Sequence, residues 1–359
     1  MSAPFVSIIA TFYNQGLYIP RLIKSVLHQT FDDWELICVN DCSPGNDQEI
    51  LEKWAAKTEA KGRITVIKNK TNLKASKSRH IGIERAKGMY LAFIDGDDWI
   101  EKDYLQVMVD EVKTNDLDMV IVNAKRAIPL FNISQPATYL PITGKLFTSP
   151  QIMDKYFLNF FGVHFFMPGY WAKLIRKEII EKTSFKPINR DFCEDEQFLM
   201  SIWPHLTRLK FLDYCGYCWR WGTGVTSYKS KSDRLHYIID NYFEYYRFKK
   251  STLEEHNYEK ARIHLLREFK NIIRDCIDTT YKFDDKRAKK ELSYLSEVLS
   301  KPEIKDLKYY AESCNSPITN AILNQDAKTV YSIIRETKKD NRIKKHIFVF
   351  FSRIVSLIP

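Results

Sequence analysis

Glycine and proline are scarce, at 12 and 13 of 359 residues, and no stretch is of low complexity or repeats itself. Long disordered segments and repeat architectures are therefore not expected. No apolar run is long enough to span a bilayer. No basic stretch followed by an apolar one precedes the strand-like Phe5–Ala10, so no secretory leader is expected. Cysteine is odd in number and irregularly spaced: Cys38, Cys42, Cys193, Cys215, Cys218, Cys276 and Cys314. That pattern fits reduced cytosolic thiols better than a disulfide framework. Cys215 and Cys218 have CxxC spacing, but no second Cys or His pair accompanies them, so a zinc or redox role is not expected. Metal-binding His spacings are missing too, and His28 and His164 read as structural side chains. Asn132-Ile-Ser134 is a glycosylation sequon without meaning in a cytosolic protein.

Apolar material is ample, at 45% of residues, and the net charge is +10. A basic balance suits nucleic acid, an anionic membrane or a phosphorylated small molecule. Arg335, Lys338, Lys339, Arg342, Lys344, Lys345 and Arg353, against Glu336 and Asp340, place five of the ten net charges after residue 334. Among them Ile343, Ile347, Phe350, Phe351, Ile354 and Ile358 recur at helical spacing. A basic amphipathic helix of this kind reads as an anchor to an anionic membrane surface. The plainer alternative is a last helix packed on the domain or on another subunit. With no stacking motif and no reading helix, no nucleic-acid partner is expected.

Residues 1–124 alternate apolar strands (Phe5–Ala10, Trp34–Val39, Ile64–Ile67, Tyr90–Ile94, Met119–Asn123) with helices (Leu17–Gln29, Gln48–Lys57, Ser76–Ala86, Lys102–Asn115). This rhythm predicts an α/β fold with a largely parallel sheet covered on both faces. Prolines at 129, 136 and 141 predict hairpins or a long loop over 125–170. Helices are expected at Tyr170–Lys182 and Glu194–Trp203, then two short strands at Leu209–Tyr214 and Tyr217–Trp221. From Ser232 to about Thr337 the sequence reads as helical. The expected domains are 1–230, catalytic; 231–336, helical; and 337–359, the basic tail.

Ligands of parallel sheets bind at the carboxyl ends of the strands. Thr11-Phe12-Tyr13-Asn14, Asn40-Asp41-Cys42-Ser43 and Asp95-Gly96-Asp97-Asp98 each follow a strand. Two carboxylates one residue apart repel unless a cation or hydroxyls share them, and Mg²⁺ or Mn²⁺ fits such ligands with substrate phosphates completing the shell. Gly96 would let the backbone approach a ligand. Alternatively Asp97 and Asp98 cap the next helix, and Asp41 makes an Asx-turn.

Val6-Ser-Ile-Ile…Tyr13-Asn14, Ser25-Val-Leu-His-Gln-Thr-Phe31, Asn40-Asp41-Cys-Ser43, Ser78-Arg79-His-Ile-Gly82 and Ala86-Lys-Gly-Met-Tyr-Leu-Ala-Phe-Ile-Asp-Gly-Asp-Asp-Trp99 occur in an order and spacing that resemble the inverting family-2 glycosyltransferases of the GT-A fold, of the bacterial cell-surface polysaccharide type. The resemblance continues more loosely through Trp171–Ile179, Glu194-Asp195-Glu196 and Tyr217–Ser227. It covers about 60% of the chain and leaves out the last third. It implies a Rossmann-like, mostly parallel central sheet with a C-terminal helical extension, a UDP-sugar donor and Mn²⁺ or Mg²⁺ as cofactor. By the same resemblance Asp41 reads the uracil ring and Arg79 lies near base and ribose. Asp95 and Asp97 match the DxD pair, facing ribose and metal, and Asp195 matches the general base. Thr11, Tyr13 and Asn14 line the nucleotide edge. The chain departs from the family at Thr11-Phe12, where Pro-Thr is usual, and at His80, where Asn is usual.

Sugar transfer needs a stabilised diphosphate leaving group and a base for a weakly nucleophilic hydroxyl. Attack from the face opposite the leaving group inverts the anomeric centre. The expected reaction is therefore transfer from a UDP-sugar to a glycan or glycolipid hydroxyl at the inner face of the membrane. Glu194 and Glu196 compete with Asp195 as base, and the trio also suits a helix N-terminus. Arg220 and the Thr223–Ser227 loop read either as a lid over the diphosphate or as an exposed strand end with a turn. Trp171 and Trp221 are sugar-stacking candidates or core. A nucleotidyltransferase would use the same edge, but no triphosphate-binding loop is present. A catalytically inactive membrane-associated protein is the non-enzymatic alternative.

Overall fold

The computed structural model describes residues 3–60, 62–128, 133–136, 144–161, 169–183, 185–187, 193–220, 231–277 and 285–339. The expected tail at 337–359 (beyond residue 339), Trp221, Thr223–Ser227, His164 and Asn132 lie outside these residues. The chain divides into two compact units, Met1–Phe160 with His164–Trp221, and Phe161–Val163 with Gly222–Pro359.

The first unit is built on one sheet. Its strands are β1 (Val6–Phe12), β2 (Trp34–Asn40), β3 (Ile64–Lys68), β4 (Tyr90–Asp95), β5 (Trp99–Ile100), β6 (Met119–Ile128), β7 (Ile133–Pro136), β8 (Leu146–Thr148), β9 (Lys173–Arg176) and β10 (Arg208–Arg220). The strand order is β3-β2-β1-β4-β9-β6-β10-β5, with β7 on β6 and β8 on β10. β1 pairs in parallel with β2 and β4, β2 with β3, and β6 with β10, while β9 runs antiparallel between β4 and β6. The α/β fold with a mostly parallel sheet is thus present. Val6, Ile8, Ile9 and Ala10 of β1 are all buried, as expected of a strand covered on both faces.

The helices that cover it follow the apolar spacing. They are α1 (Ile19–Leu27), α2 (Asp47–Ala55), α3 (Lys74–Arg85), α4 (Tyr104–Asn115), the short α5 (Ser149–Gln151) and α6 (Lys177–Glu181), and α7 (Glu194–Ile202). Ile19, Leu22, Ile23 and Val26 of α1 are fully buried. Each such side chain contributes about 2 kcal/mol by leaving water. α4 stops where Asp116 turns left-handed, at φ 46°.

Two expectations from the sequence are corrected. Tyr170–Lys182 is not one helix: Lys173–Arg176 forms β9, and only Lys177–Glu181 is helical. Lys173, Leu174 and Ile175 are buried between β4 and β6, and tertiary pairing overrides a helix-like spacing. The two strands placed at 209–214 and 217–221 are one strand, β10, broken only by register shifts between Leu212 and Tyr217. Its bulges resemble a turn in sequence because they contain Gly216.

The second unit holds α8 (Lys231–Glu255), α9 (Arg262–Asp275), α10 (Asp285–Leu299), α11 (Leu307–Ser313), α12 (Pro317–Leu323) and α13 (Ala327–Lys339). Tyr246 stacks on Phe269 at 4.2 Å, and the buried Lys249 donates to both Glu268 oxygens at 3.0 Å. Among the described residues no helix is long and apolar enough to cross a membrane.

Candidate active site

Register decides which groups share an edge. Phe12 of β1 pairs with Asn40 of β2, and Thr11 pairs with Asp95 of β4. The segments after all three strands therefore open on one rim. Asp47, at the start of α2, ties two of them together. Its buried carboxylate accepts from the Gln15 N–H at 2.7 Å and from the Ser43 hydroxyl at 2.9 Å. Ser43 Oγ in turn accepts from the Asn14 N–H at 3.0 Å. Asn14 is left-handed, at φ 55°, and Tyr13 is exposed. Asp41 is buried and accepts from Asn69 Nδ2 at 2.8 Å and the Leu73 N–H at 2.8 Å through Oδ1, and from the Lys74 N–H at 2.9 Å through Oδ2. It thereby fixes the loop that enters α3.

Asp95, Asp97 and Asp98 do three different things. Asp95 presents its carboxylate, about one-third exposed, to Arg79 Nη2 at 2.8 Å. Asp97 is half-buried, and its carbonyl accepts from Arg220 Nε at 2.8 Å. Asp98 is buried and accepts from the Tyr217 hydroxyl at 2.7 Å and the Arg220 N–H at 2.8 Å. Burial raises its carboxyl well above the usual range, aided by the Asp97 and Asp95 charges and opposed by those two hydrogen bonds. The capping alternative fails for Asp98, because β5 follows and Asp103 stands before α4. Gly96 is required by close approach within the protein. A Cβ there would lie 2.0 Å from Gln15 Oε1 and 2.6 Å from the Thr11 carbonyl oxygen.

Arg79, on α3, reaches across the site. Its Nη1 donates to Glu194 Oε1 at 3.0 Å, and its guanidinium lies 4.6 Å from the Tyr170 ring centroid. Burial alone would lower its pKa, but the Asp95 and Glu194 charges raise it, so it is a fixed cation. Beside Glu194, Asp195 is half-buried in the first turn of α7. Burial first, then the Glu194 charge, push its carboxyl up to about 7, against the pull of Arg79. Such a carboxylate is poised to take a proton near neutral pH. Lys173 lies buried close by, donating to the Gly169 carbonyl at 2.6 Å and the Trp171 carbonyl at 3.1 Å. Burial draws its ammonium down to about 7, against the Asp195 charge.

Arg220 sits with its guanidinium 4.4 Å from the Tyr18 ring centroid and 5.2 Å from that of Trp99. Trp171 is half-buried and stacks on Tyr217 at 4.8 Å. His80 faces Glu84 at 3.6 Å, and His28 Nδ1 bonds the Lys24 carbonyl at 2.7 Å.

Asp95, Arg79 and the Glu194–Asp195 turn are thus brought together directly, and Arg220 with Asp97. Asp41, Tyr13 and Asn14 occupy the neighbouring rim, and Thr11 lies beside the cluster, paired with Asp95 across β1 and β4. Sequence reasoning missed the roles of Asp47, Asp98, Tyr217 and Lys173. Only Asp47, an acid opening a helix, carried a visible signal. Two carboxylates about Gly96 fit a divalent cation whose shell a diphosphate completes. Among the described residues no cluster of three or more His, Cys, Asp or Glu side chains could hold a metal by itself.

Residues 7–183 match the glycosyl transferase family 2 domain. The chain is 32% identical to the uncharacterised glycosyltransferase EpsJ of Bacillus subtilis over 60% of this chain and 61% of that one. It is 30% identical to the cholesterol galactosyltransferase of Borreliella burgdorferi over 58% of each. It therefore spans about three fifths of the length of these relatives. The fold is that of S. aureus TarS 1-349, solved with UDP-GlcNAc, with a TM-score of 0.65 at 18% identity, covering 95% of this chain and 92% of the other. Over residues 7–183 the chain thus carries a glycosyl transferase family 2 domain.

Proposed function

We propose that this protein transfers a sugar from a UDP-sugar to a hydroxyl of a glycan or lipid-linked acceptor in cell-surface polysaccharide synthesis, inverting the anomeric centre. The observation that carries the reading is the Arg79 bridge, which sets the paired acids after β4 against the acidic turn of α7. A donor site and a base belong at such a junction. The relatives' names support sugar transfer, and the fold shared with a UDP-GlcNAc-bound protein supports a UDP-sugar.

In this reading Asp41, whose Oδ2 accepts one bond among the described residues, offers its remaining capacity to the uracil N–H. Thr11, Tyr13 and Asn14 line the nucleotide edge. Asp95 faces the ribose, and Asp95 and Asp97 hold Mn²⁺ or Mg²⁺, which when bound neutralises charge on the leaving diphosphate. Arg220, anchored on the Asp97 carbonyl, adds a fixed positive charge there. Asp195 takes the acceptor's proton. Residues 337–359 carry a pattern suited to an anionic membrane surface, as expected of an enzyme working on lipid-linked acceptors at its inner face.

The test is a screen of UDP-sugars with Mn²⁺, followed by anomeric analysis of the product by NMR. Release of UDP with one sugar, and an inverted linkage, is expected. Release of pyrophosphate instead would identify a nucleotidyltransferase. No turnover with any UDP-sugar and acceptor would leave the protein without the proposed activity.

A further inference from the structure

Lys173 is fully buried on β9, the antiparallel strand between β4 and β6. Burying an ammonium is costly, and an apolar side chain would fill the interior of a sheet at less expense. What this lysine does is close a turn. Its Nζ donates to the Gly169 carbonyl at 2.6 Å and to the Trp171 carbonyl at 3.1 Å, so it ties the residues on either side of Tyr170. The turn needs holding. Ala172, its last residue, is left-handed at φ 57°, a conformation that strains any residue with a Cβ.

The turn decides where two rings go. Trp171 goes to β10, where it stacks on Tyr217. Tyr170 goes to the helices and is buried. Its ring centroid lies 4.6 Å from the Arg79 guanidinium carbon, and its hydroxyl hydrogen-bonds Ser76, one turn earlier on α3. The same ring stacks on Phe198 of α7 at 4.2 Å and an interplanar angle of 15°. Phe198 stands nearly one helical turn after Asp195. Tyr170 is therefore a wedge between α3, which carries Arg79, and α7, which carries Asp195. The groups that act on the Asp195 carboxyl surround this wedge. Glu194 and Glu196 act from its own helix and Arg79 from α3. Tyr170 and Lys173 both feel its charge from the β9 side. Burial is the largest influence on Asp195, so the packing of α7 against Tyr170 bears directly on its protonation.

We propose that Lys173 is a positioning residue for the base: by clamping the carbonyls of Gly169 and Trp171 it wedges the Tyr170 ring between α3 and α7, and so holds Asp195 in place and shields it from water. Lys173 acts through Tyr170, on the reading above in which Asp195 is the base.

The Asp195 titration is followed by carbon NMR on the full chain labelled at its aspartate carboxyls, with Asp195→Asn identifying the signal. This readout needs no turnover. The wild type is compared with Lys173→Met, Tyr170→Leu and the double variant. UDP affinity is measured by calorimetry, and kcat and KM for UDP release with the donor that the wild type accepts. In Lys173→Met the midpoint is expected to fall by about half a pH unit or more, as water reaches the carboxyl. Its kcat should drop about tenfold or more, with donor KM and UDP affinity held within about threefold. Tyr170→Leu should give a similar fall in the midpoint, and the double variant no more than either alone, because both break one chain of contacts. Should Lys173→Met not fold, Lys173→Gln, which keeps an amide donor for one carbonyl, takes its place with the same expectation. An unchanged midpoint in a folded Lys173 variant overturns the proposal, since a merely structural lysine costs stability alone. A rise in the midpoint also overturns it, because Lys173 would then act on Asp195 by its charge and not through Tyr170. Additive shifts in the double variant do the same. If the wild type releases no UDP from any donor, the transferase reading fails instead, and the carboxyl titration still decides whether Lys173 positions Asp195.

Discussion

Arg79 holds Asp95 and Glu194 at once, through Nη2 at 2.8 Å and Nη1 at 3.0 Å. A planar fork suits two carboxylates on separate elements, one on each Nη. Arg79→Lys keeps the charge but gives up one partner. UDP affinity should fall about tenfold, roughly 1.4 kcal/mol by calorimetry. Arg79→Gln leaves both carboxylates uncompensated. It should cost about 3 kcal/mol in urea unfolding, at the low end for a buried pair because Asp95 is partly solvated. Wild-type affinity in Arg79→Lys would mean that the bridge is not part of the donor site.

Asp195, with its pKa near 7, must be ionised to act as base. Transfer rate should rise with pH through about 7 and then level off. Asp195→Asn should bind UDP normally and transfer nothing. The same shift sets stability. Between the ordinary carboxyl range and about 7 the folded protein binds the extra proton, so stability falls as pH rises through that window. Asp195→Asn should therefore melt higher than the wild type at pH 8 and lose that advantage at pH 5. A flat pH–rate profile with an active Asp195→Asn would place the base elsewhere.

The Tyr217 hydroxyl donates to Asp98 and accepts from the Asp95 N–H at 3.1 Å. Tyr217→Phe takes one of two hydrogen-bond partners from the buried Asp98 carboxylate, which keeps the Arg220 N–H, and removes the acceptor of the Asp95 N–H. The expected loss is about 2 kcal/mol of stability, with weaker UDP binding because the Asp95 turn loosens. Asp98→Asn keeps an acceptor for one of its partners and should be milder. Equal stability for Tyr217→Phe and the wild type in thermal unfolding would refute this account.

Gly96→Ala should lose UDP binding and about 1–3 kcal/mol of stability. Truncating Gln15 as well should not rescue it, since the Thr11 carbonyl would still stand in the way. Calorimetry on the single and double variants decides the matter.

β1, β2 and β4 were legible because strands buried on both faces are nearly all apolar, and α1 because it has a clean stripe; β3, with Thr65 and Lys68 exposed, was legible from Ile64, Val66 and Ile67. The acids after β4 were legible as a run, but their division of labour was not. Nothing in Asp95-Gly96-Asp97-Asp98 says that the third acid turns inward to Tyr217, a residue 119 positions away. Asp195 was found through resemblance; what sets its protonation is burial first, then Glu194 beside it and Arg79 from α3, a partner local spacing cannot reveal. β9 was misread because its insertion between β4 and β6 is a long-range pairing.

The register shifts in β10 carry a consequence for how this protein can vary. Five steps along β10, from Leu212 to Tyr217, face two along β6, from Val122 to Ala124. That surplus sets the phase of everything after it, including Tyr217 under the acids and Arg220 at Asp97. Removing Gly216 would rotate the remaining strand by half a turn, exchanging the sides of Tyr217 and Cys218. Segment length here acts as a ruler, so a one-residue deletion should be more damaging than any single replacement within it.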